Sequence, residues 1–390
     1  MGFGVAITEV DILVVGGGPA GLLAASYLSE NHSVALIERS ALGQTKKYWL
    51  TTERRLKTHG LDHCVLHRAR TLFAGTFLGT IAYAEGDLTV VDDESFLQTL
   101  VERCRTRGVA MHENCGLLNI AWTTNYIEAQ SECGTFHARL VLDATGGLSP
   151  ISSTFRLHQI DGFFSVYGVH MDNIELRTAD VVLGYVYQLG DPPPGFELYP
   201  TGSNSGYCAL FVYSKFLVTA ASLAASFEKH CLHNPFFNVT PLTTRSREKM
   251  GAIPIGRKRN RTLSGVVSIG EAGMVQPPLM GTAFNEVLEY TVPICNQISR
   301  ALQATVGIPV LPKSLYPLRK RAQDRYQLFI VRILVAGNVE MFDNLLAIFS
   351  RFSRKFIFKF FSNELTGMQL AYLLSQVPWF RLMRYRAFGR

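Results

Sequence analysis

An α/β fold is predicted by three segments of this 390-residue chain, each an apolar strand that ends in a turn of small residues. The first, Val10-Asp11-Ile12-Leu13-Val14-Val15-Gly16-Gly17-Gly18-Pro19-Ala20-Gly21, continues into the apolar helical run Leu22 to Leu28. The second, Phe136 to Asp143, ends in Ala144-Thr145-Gly146-Gly147. The third, Gly265 to Ile269, leads through Gly270-Glu271 to a proline turn, Gln276-Pro277-Pro278, and a new helix start. A buried strand leading directly into a helix is the unit of a parallel, doubly wound sheet. The expected architecture is therefore a Rossmann-type domain with an inserted, mostly β domain and a helical C-terminal region.

Gly16, Gly18 and Gly21 match the pattern G-x-G-x-x-G. One glycine makes the turn, one lets a pyrophosphate approach the backbone, and one lets the helix pack closely on its strand. A bound pyrophosphate rests on free N–H groups at the positive end of the helix. A second strand, Ser33 to Ile37, ends in Glu38, whose carboxylate can take both hydroxyls of an adenosine ribose, and Arg39 beside it can stack on or pair with the nucleotide. An acid at this position disfavours a 2′-phosphate, so FAD or NAD is expected and NADP is not.

The third segment favours FAD. An acid at a strand end, here Glu271, can hold a ribityl chain, and the free amides of the helix that begins at Gly281 and Thr282 can stabilise negative charge on a reduced isoalloxazine.

A chain of this length exceeds one core. The expected division is a discontinuous nucleotide domain over 1–150 and 255–305, a substrate domain over 151–254 and a helical region over 306–390. Seven widely spaced cysteines without C-x-x-C clustering read as reduced thiols of a cytoplasmic protein. Ten histidines form no H-E-x-x-H motif, and no metal site is expected. The apolar run 12–28 lacks a basic leader and contains the glycine cluster, which argues against a signal peptide.

The net charge of +7 is concentrated in the tail, where residues 313–390 carry fourteen Lys/Arg against four Asp/Glu. That tail is also apolar and aromatic, as in Lys355-Phe356-Ile357-Phe358-Lys359-Phe360-Phe361, yet no part of it has about 18 uninterrupted apolar residues, so nothing is expected to span a bilayer. Two readings stay open: helices lying in a membrane interface, or a bundle closing the substrate domain with its basic residues solvated. Aromatics so evenly mixed with aliphatics do not suit a nucleic-acid stacking platform.

The three signatures in this order resemble FAD enzymes of the glutathione-reductase type, and among them the FAD-dependent lycopene cyclases. The resemblance is carried by Val91 to Leu97, by Ala252-Ile253-Pro254-Ile255-Gly256, by Glu271-Ala272-Gly273-Met274-Val275-Gln276-Pro277-Pro278, and by the tail around Phe342-Asp343 and Phe358 to Phe361. It implies a lipophilic isoprenoid or polyene substrate. The flavin motifs are shared with geranylgeranyl reductases and flavin-dependent halogenases. One departure concerns the chemistry. The family carries a paired-glutamate motif, F-L-E-E-T, tied to cyclisation, and in the corresponding strand here Tyr213 and Ser214 stand in its place. A tyrosine of ordinary pKa about 10 is a poor acid for protonating an alkene. Glu197 or Glu286 is the alternative proton source, and Glu197 and Tyr213 are the residues expected to face the substrate.

Three functions follow. The first is a flavin enzyme that cyclises, isomerises or reduces a polyene, with reduced flavin as electron-rich stabiliser or hydride donor. The second is a flavin-dependent monooxygenase or halogenase, for which Lys46, Lys47 and Lys215 are candidate lysines, with a separate flavin reductase as electron source. The third is a flavin-binding partner without catalysis.

Overall fold

The computed structural model describes residues 7–44, 48–186, 194–230, 236–259, 262–279, 281–312, 314–335 and 339–376. The chain begins with β1 (Ile7–Val15), α1 (Pro19–Leu28) and β2 (Val34–Ile37). It then forms β3 (Trp49–Thr51), α2 (Glu53–Thr58), the long hairpin β4 (Val65–Thr76) and β5 (Ile81–Val91), and α3 (Asp93–Thr106). Next come β6 (Ala110–His112), the meander β7 (Leu117–Trp122), β8 (Ile127–Ser131) and β9 (Gly134–Asp143), and the short α4 (Pro150–Thr154).

The middle of the chain supplies β10 (His158–Leu176), β11 (Val181–Val186), β12 (Pro194–Pro200), β13 (Ser205–Ser214), α5 (Ala220–His230) and β14 (Phe237–Lys258). Strand β15 (Val266–Ser268) follows, and then α6 (Ala283–Gln303), α7 (Leu318–Val335), α8 (Val339–Phe349), α9 (Arg354–Phe361) and α10 (Gly367–Gln376).

Two sheets organise these elements. In the first, β6, β2, β1, β9 and β15 run parallel, and the meander strands β8 and β7 extend it beyond β9. Its strands read as continuous apolar runs because both faces are covered: Ile12, Val14, Leu36, Leu140 and Leu142 pack against α1, α3 and α6, and Leu13, Val15, Ala35, Ile37 and Val141 pack on the other face with Ile120, Ile127 and Ile151. The second sheet has the order β14-β10-β13-β12-β11-β4-β5-β3. Residues 49–91 thus give three strands to the second sheet, so the boundary expected at residue 150 does not separate the sheets. Helices α7 to α9 lie over this sheet and bury Leu346, Ile357 and Val331 against it. No described helix is long and apolar enough to cross a membrane.

The cysteine expectation is corrected. Cys115 and Cys133 form a disulfide with Cα atoms 5.5 Å apart. The β7–β8 register, Leu117 opposite Ser131, folds the chain back and brings the two together. Cys64, Cys104, Cys208 and Cys295 are free and buried; Cys231 lies outside the described residues.

Candidate active site

At the carboxyl edge of the first sheet the glycine turn has the geometry its sequence implies. Gly16 has φ +107°, and a Cβ there would fall 2.5 Å from the Ala144 carbonyl oxygen. A Cβ on Gly21 would lie 1.9 Å from the Gly16 carbonyl oxygen, so only glycine lets α1 start this close to β1. Gly18 differs: a Cβ there would meet no atom within 4 Å, and its backbone faces open space at the helix N-terminus. The Glu38 carboxylate reaches back to this turn, accepting from the Gly17 amide at 2.7 Å and the Ser40 hydroxyl at 2.7 Å. Arg39, next to it, is exposed. Behind the turn, buried Asp143 accepts from Thr145, Ser149 and Ser268 hydroxyls and ties the ends of β9 and β15 together.

From this edge a chamber of about 790 Å³ opens between the sheets. Glu271 enters it from the turn after β15; a Cβ on Gly147 would fall 2.5 Å from Pro254 Cδ and 3.5 Å from Glu271 Oε2, so the glycine lets Pro254 and Glu271 close on the β9 turn. Gly281, with φ +61°, ends the proline turn, and Thr282 stands at the residue before α6 without a capping hydrogen bond from its side chain. Thr282 Oγ1 and Asn285 Oδ1 at this helix start are buried with no hydrogen-bond partner among the described residues. Buried polar atoms are nearly always paired, so these orphans, the open space at Gly18 and the carboxylates of Glu38 and Glu271 together fit an extended dinucleotide lying from the glycine turn to the α6 N-terminus.

A second chamber, of about 960 Å³, lies between the second sheet and α7 to α9. Its floor is β4, β11 and β12, and its roof includes Ile330, Phe342, Leu346, Phe349 and Phe360. Phe342, Phe349, Phe360 and Phe361 of the tail therefore have a place in the roof of an apolar cavity. Leu50, Glu197, Tyr199 and Thr282 belong to the walls of both chambers, which makes them the junction.

Glu197 points into this junction because β12 alternates, sending Phe196 and Leu198 into the core on the other face. Tyr199, two residues on, shares its face, and its phenol donates to Glu197 Oε2 at 2.9 Å. Burial pushes the Glu197 carboxyl up to about 7, and the Tyr199 hydrogen bond partly offsets this. Burial raises the Tyr199 and Tyr213 phenols well above their ordinary range. Tyr213 also lines the apolar chamber, but its hydroxyl donates to the Leu279 carbonyl. Among these groups Glu197 is the one that gains and loses its proton near neutral pH.

The other candidates fall elsewhere. Glu286 pairs with the buried Lys320 ammonium at 3.1 Å and accepts from Asn363 at 2.8 Å, and it lines neither chamber. Ser214 is buried and donates to the Phe216 carbonyl. Lys215 is exposed, its ammonium 5.6 Å from the Phe216 ring centroid. Lys46 and Lys47 lie outside the described residues. Sequence reasoning passed over Tyr48, Trp49 and Lys249 in the first chamber and Tyr199 at the junction. Only Tyr199 had a signal, its two-residue spacing from Glu197 within a strand.

A glycine-turn nucleotide site joined to a cavity on a second sheet defines a two-domain dinucleotide-binding protein. The chain belongs to the lycopene cyclase family, whose model, described as lycopene cyclase protein, matches residues 11–180 and 238–387. The unmatched stretch between them contains β11 to β13, with Glu197, Tyr199 and Tyr213. No curated protein matches the chain. A geranylgeranyl bacteriochlorophyll reductase-like protein from Thermoplasma acidophilum shares the fold with a TM-score of 0.73 at 14% identity, over 98% of this chain and 100% of that one. A flavoprotein/dehydrogenase from Cytophaga hutchinsonii gives 0.68 at 13% identity, over 94% and 96%. The flavin-dependent brominase Bmp2 gives 0.65 at 12% identity, over 95% and 93%.

Proposed function

We propose that this protein is a flavoenzyme that binds FAD from the glycine turn to the α6 N-terminus and transforms a lipophilic isoprenoid or polyene held in the apolar chamber. Glu197 is the proton donor and acceptor. The observation that carries this reading is the Glu197 carboxyl at the junction of the two chambers, held up to about 7 by burial.

Gly16, Gly18, Gly21 and Glu38 would hold the ADP half, with Arg39 on the nucleotide, and Glu271, Gly281 and Thr282 the ribityl and ring half. When bound and reduced, FAD supplies electron density that stabilises a neighbouring cation, or a hydride. The protein's own part is proton transfer. Protonated Glu197 adds its proton to one carbon of an alkene, leaving a cation on the other. Loss of a proton from an adjacent carbon, back to the Glu197 carboxylate, gives an isomer; where a second alkene of the same substrate first attacks the cation, closing a C–C bond and moving the charge to a new carbon, the same proton loss gives a cyclised product, and neither route changes the net redox state. The aromatic roof of Phe342, Phe349 and Phe360 excludes water that would quench the cation and presents ring faces that stabilise it. Tyr213, held by Leu279, shapes the chamber wall.

A second reading, an oxygen-using monooxygenase or halogenase, is favoured by Lys249 in the wall of the first chamber. One experiment separates them. Protein reconstituted with FAD and reduced under argon is given acyclic polyenes. Redox-neutral products supports the first reading, flavin oxidation matched to a saturated product identifies reduction, and turnover only on adding oxygen and halide selects the second.

A further inference from the structure

We infer that the outer face of α9 and α10 docks on an anionic lipid bilayer. The two helices have opposite faces with different chemistry. Inward, α9 turns Ile357, Phe360 and Phe361 to the protein, the latter two into the wall of the apolar chamber. Outward, the helical repeat puts Lys355 and Lys359 on one crest, with Arg351 just before the helix, and all three are exposed. On α10, Leu370 and Leu373 are buried, and the opposite crest is Met368, 85% exposed, and Tyr372, 55% exposed.

The crests form one surface. Tyr372 meets the rings of Phe352 and Phe356 at 5.7 and 6.3 Å, and those two stack on each other at 4.7 Å, which sets a half-buried aromatic seam beside the lysines. Bases beside exposed aromatic and thioether side chains match the headgroup layer, which offers negative charge above hydrocarbon.

Charge decides the occupant. From residue 344 to 390 the sequence holds eight Lys/Arg and one acid, Glu364. That acid is taken up by Arg54 at 2.8 Å and Arg55 at 3.2 Å, away from the crests. A large exposed apolar pair beside the exposed bases Arg351, Lys355 and Lys359, with Glu85 of β5 at the edge 3.9 Å from Arg354, suits a lipid surface better than a soluble acidic partner, which would leave Met368 and Tyr372 in water. The helix that touches the bilayer also walls the chamber. Only the biological purpose, taking a lipophilic substrate from the membrane, rests on the function proposed above; the docking itself does not.

The test is flotation of the FAD-loaded full chain with phosphatidylcholine vesicles, with and without phosphatidylglycerol. The wild type should float with the phosphatidylglycerol vesicles and be released by high salt. The K355E/K359E variant should lose at least about tenfold in partitioning, and M368S/Y372S should weaken it too, both with unchanged flavin absorbance and circular dichroism. A wild type that stays in the soluble fraction, as it would if the face served an acidic protein, overturns the proposal. So does K355E/K359E floating as well as the wild type. A protein that floats but turns over no polyene leaves the docking intact and sinks the function.

Discussion

The Tyr199 phenol donates to Glu197 Oε2 at 2.9 Å, and both side chains stand in the wall shared by the two chambers. The bond stabilises the carboxylate against the burial that raises its pKa. Tyr199→Phe should therefore move the Glu197 pKa further up and shift the alkaline limb of the activity profile to higher pH, with flavin content unchanged. Glu197→Gln should lower turnover by about 10²-fold or more. A pH–rate profile of each variant checks both statements.

The same carboxyl gives a stability signature. Its ordinary value is 4.5, and folding raises it to about 7, so between these pH values the folded state binds more protons than the unfolded one. Stability conferred by the neutral acid is complete below pH 4.5 and is lost as pH rises through 7. The loss is at most about 3 kcal/mol. Glu197→Gln should remove it, so that thermal melts of variant and wild type diverge from pH 5 to pH 8 in favour of the variant.

Much of the nucleotide end is legible in the sequence because it depends on local rules. A strand, a glycine turn and a terminal acid follow each other within thirty residues, and sterics leave Gly16 and Gly21 no alternative. The junction is less legible. Glu197 and Tyr199 share a strand face, but their opposition to Thr282 and Leu50 brings together three distant segments. In the sequence Glu286 is equivalent to Glu197, and only the fold brings Lys320, beyond the end of α6, onto its carboxylate to neutralise it. The disulfide was hidden for a similar reason: its partners are 18 residues apart, and the meander joins them.

Gly18 and Gly21 should respond differently to alanine. In Gly21→Ala the new Cβ lies 1.9 Å from a backbone oxygen, so the variant should lose both FAD and thermal stability. In Gly18→Ala it meets open space, so the apoprotein should melt as the wild type does while FAD affinity falls. Calorimetry of the apoproteins with FAD titration reads the two effects separately.

Lys320 has a side chain 1% exposed and pairs with Glu286 at 3.1 Å and Asp324 at 2.6 Å. Lys320→Met leaves the Glu286 carboxylate buried and unpaired, which should cost about 3–5 kcal/mol. Lys320→Met with Glu286→Gln should recover much of it. Urea unfolding of the single and double variants measures the difference.

The measurement that tests the central claim most directly is turnover of an acyclic polyene in deuterium oxide, under argon, by the reduced, FAD-loaded protein. If Glu197 delivers a solvent-exchangeable proton to the substrate, the product carries deuterium, and Glu197→Gln forms almost none of it. Product without deuterium, or equal deuterium incorporation by Glu197→Gln, would contradict the account.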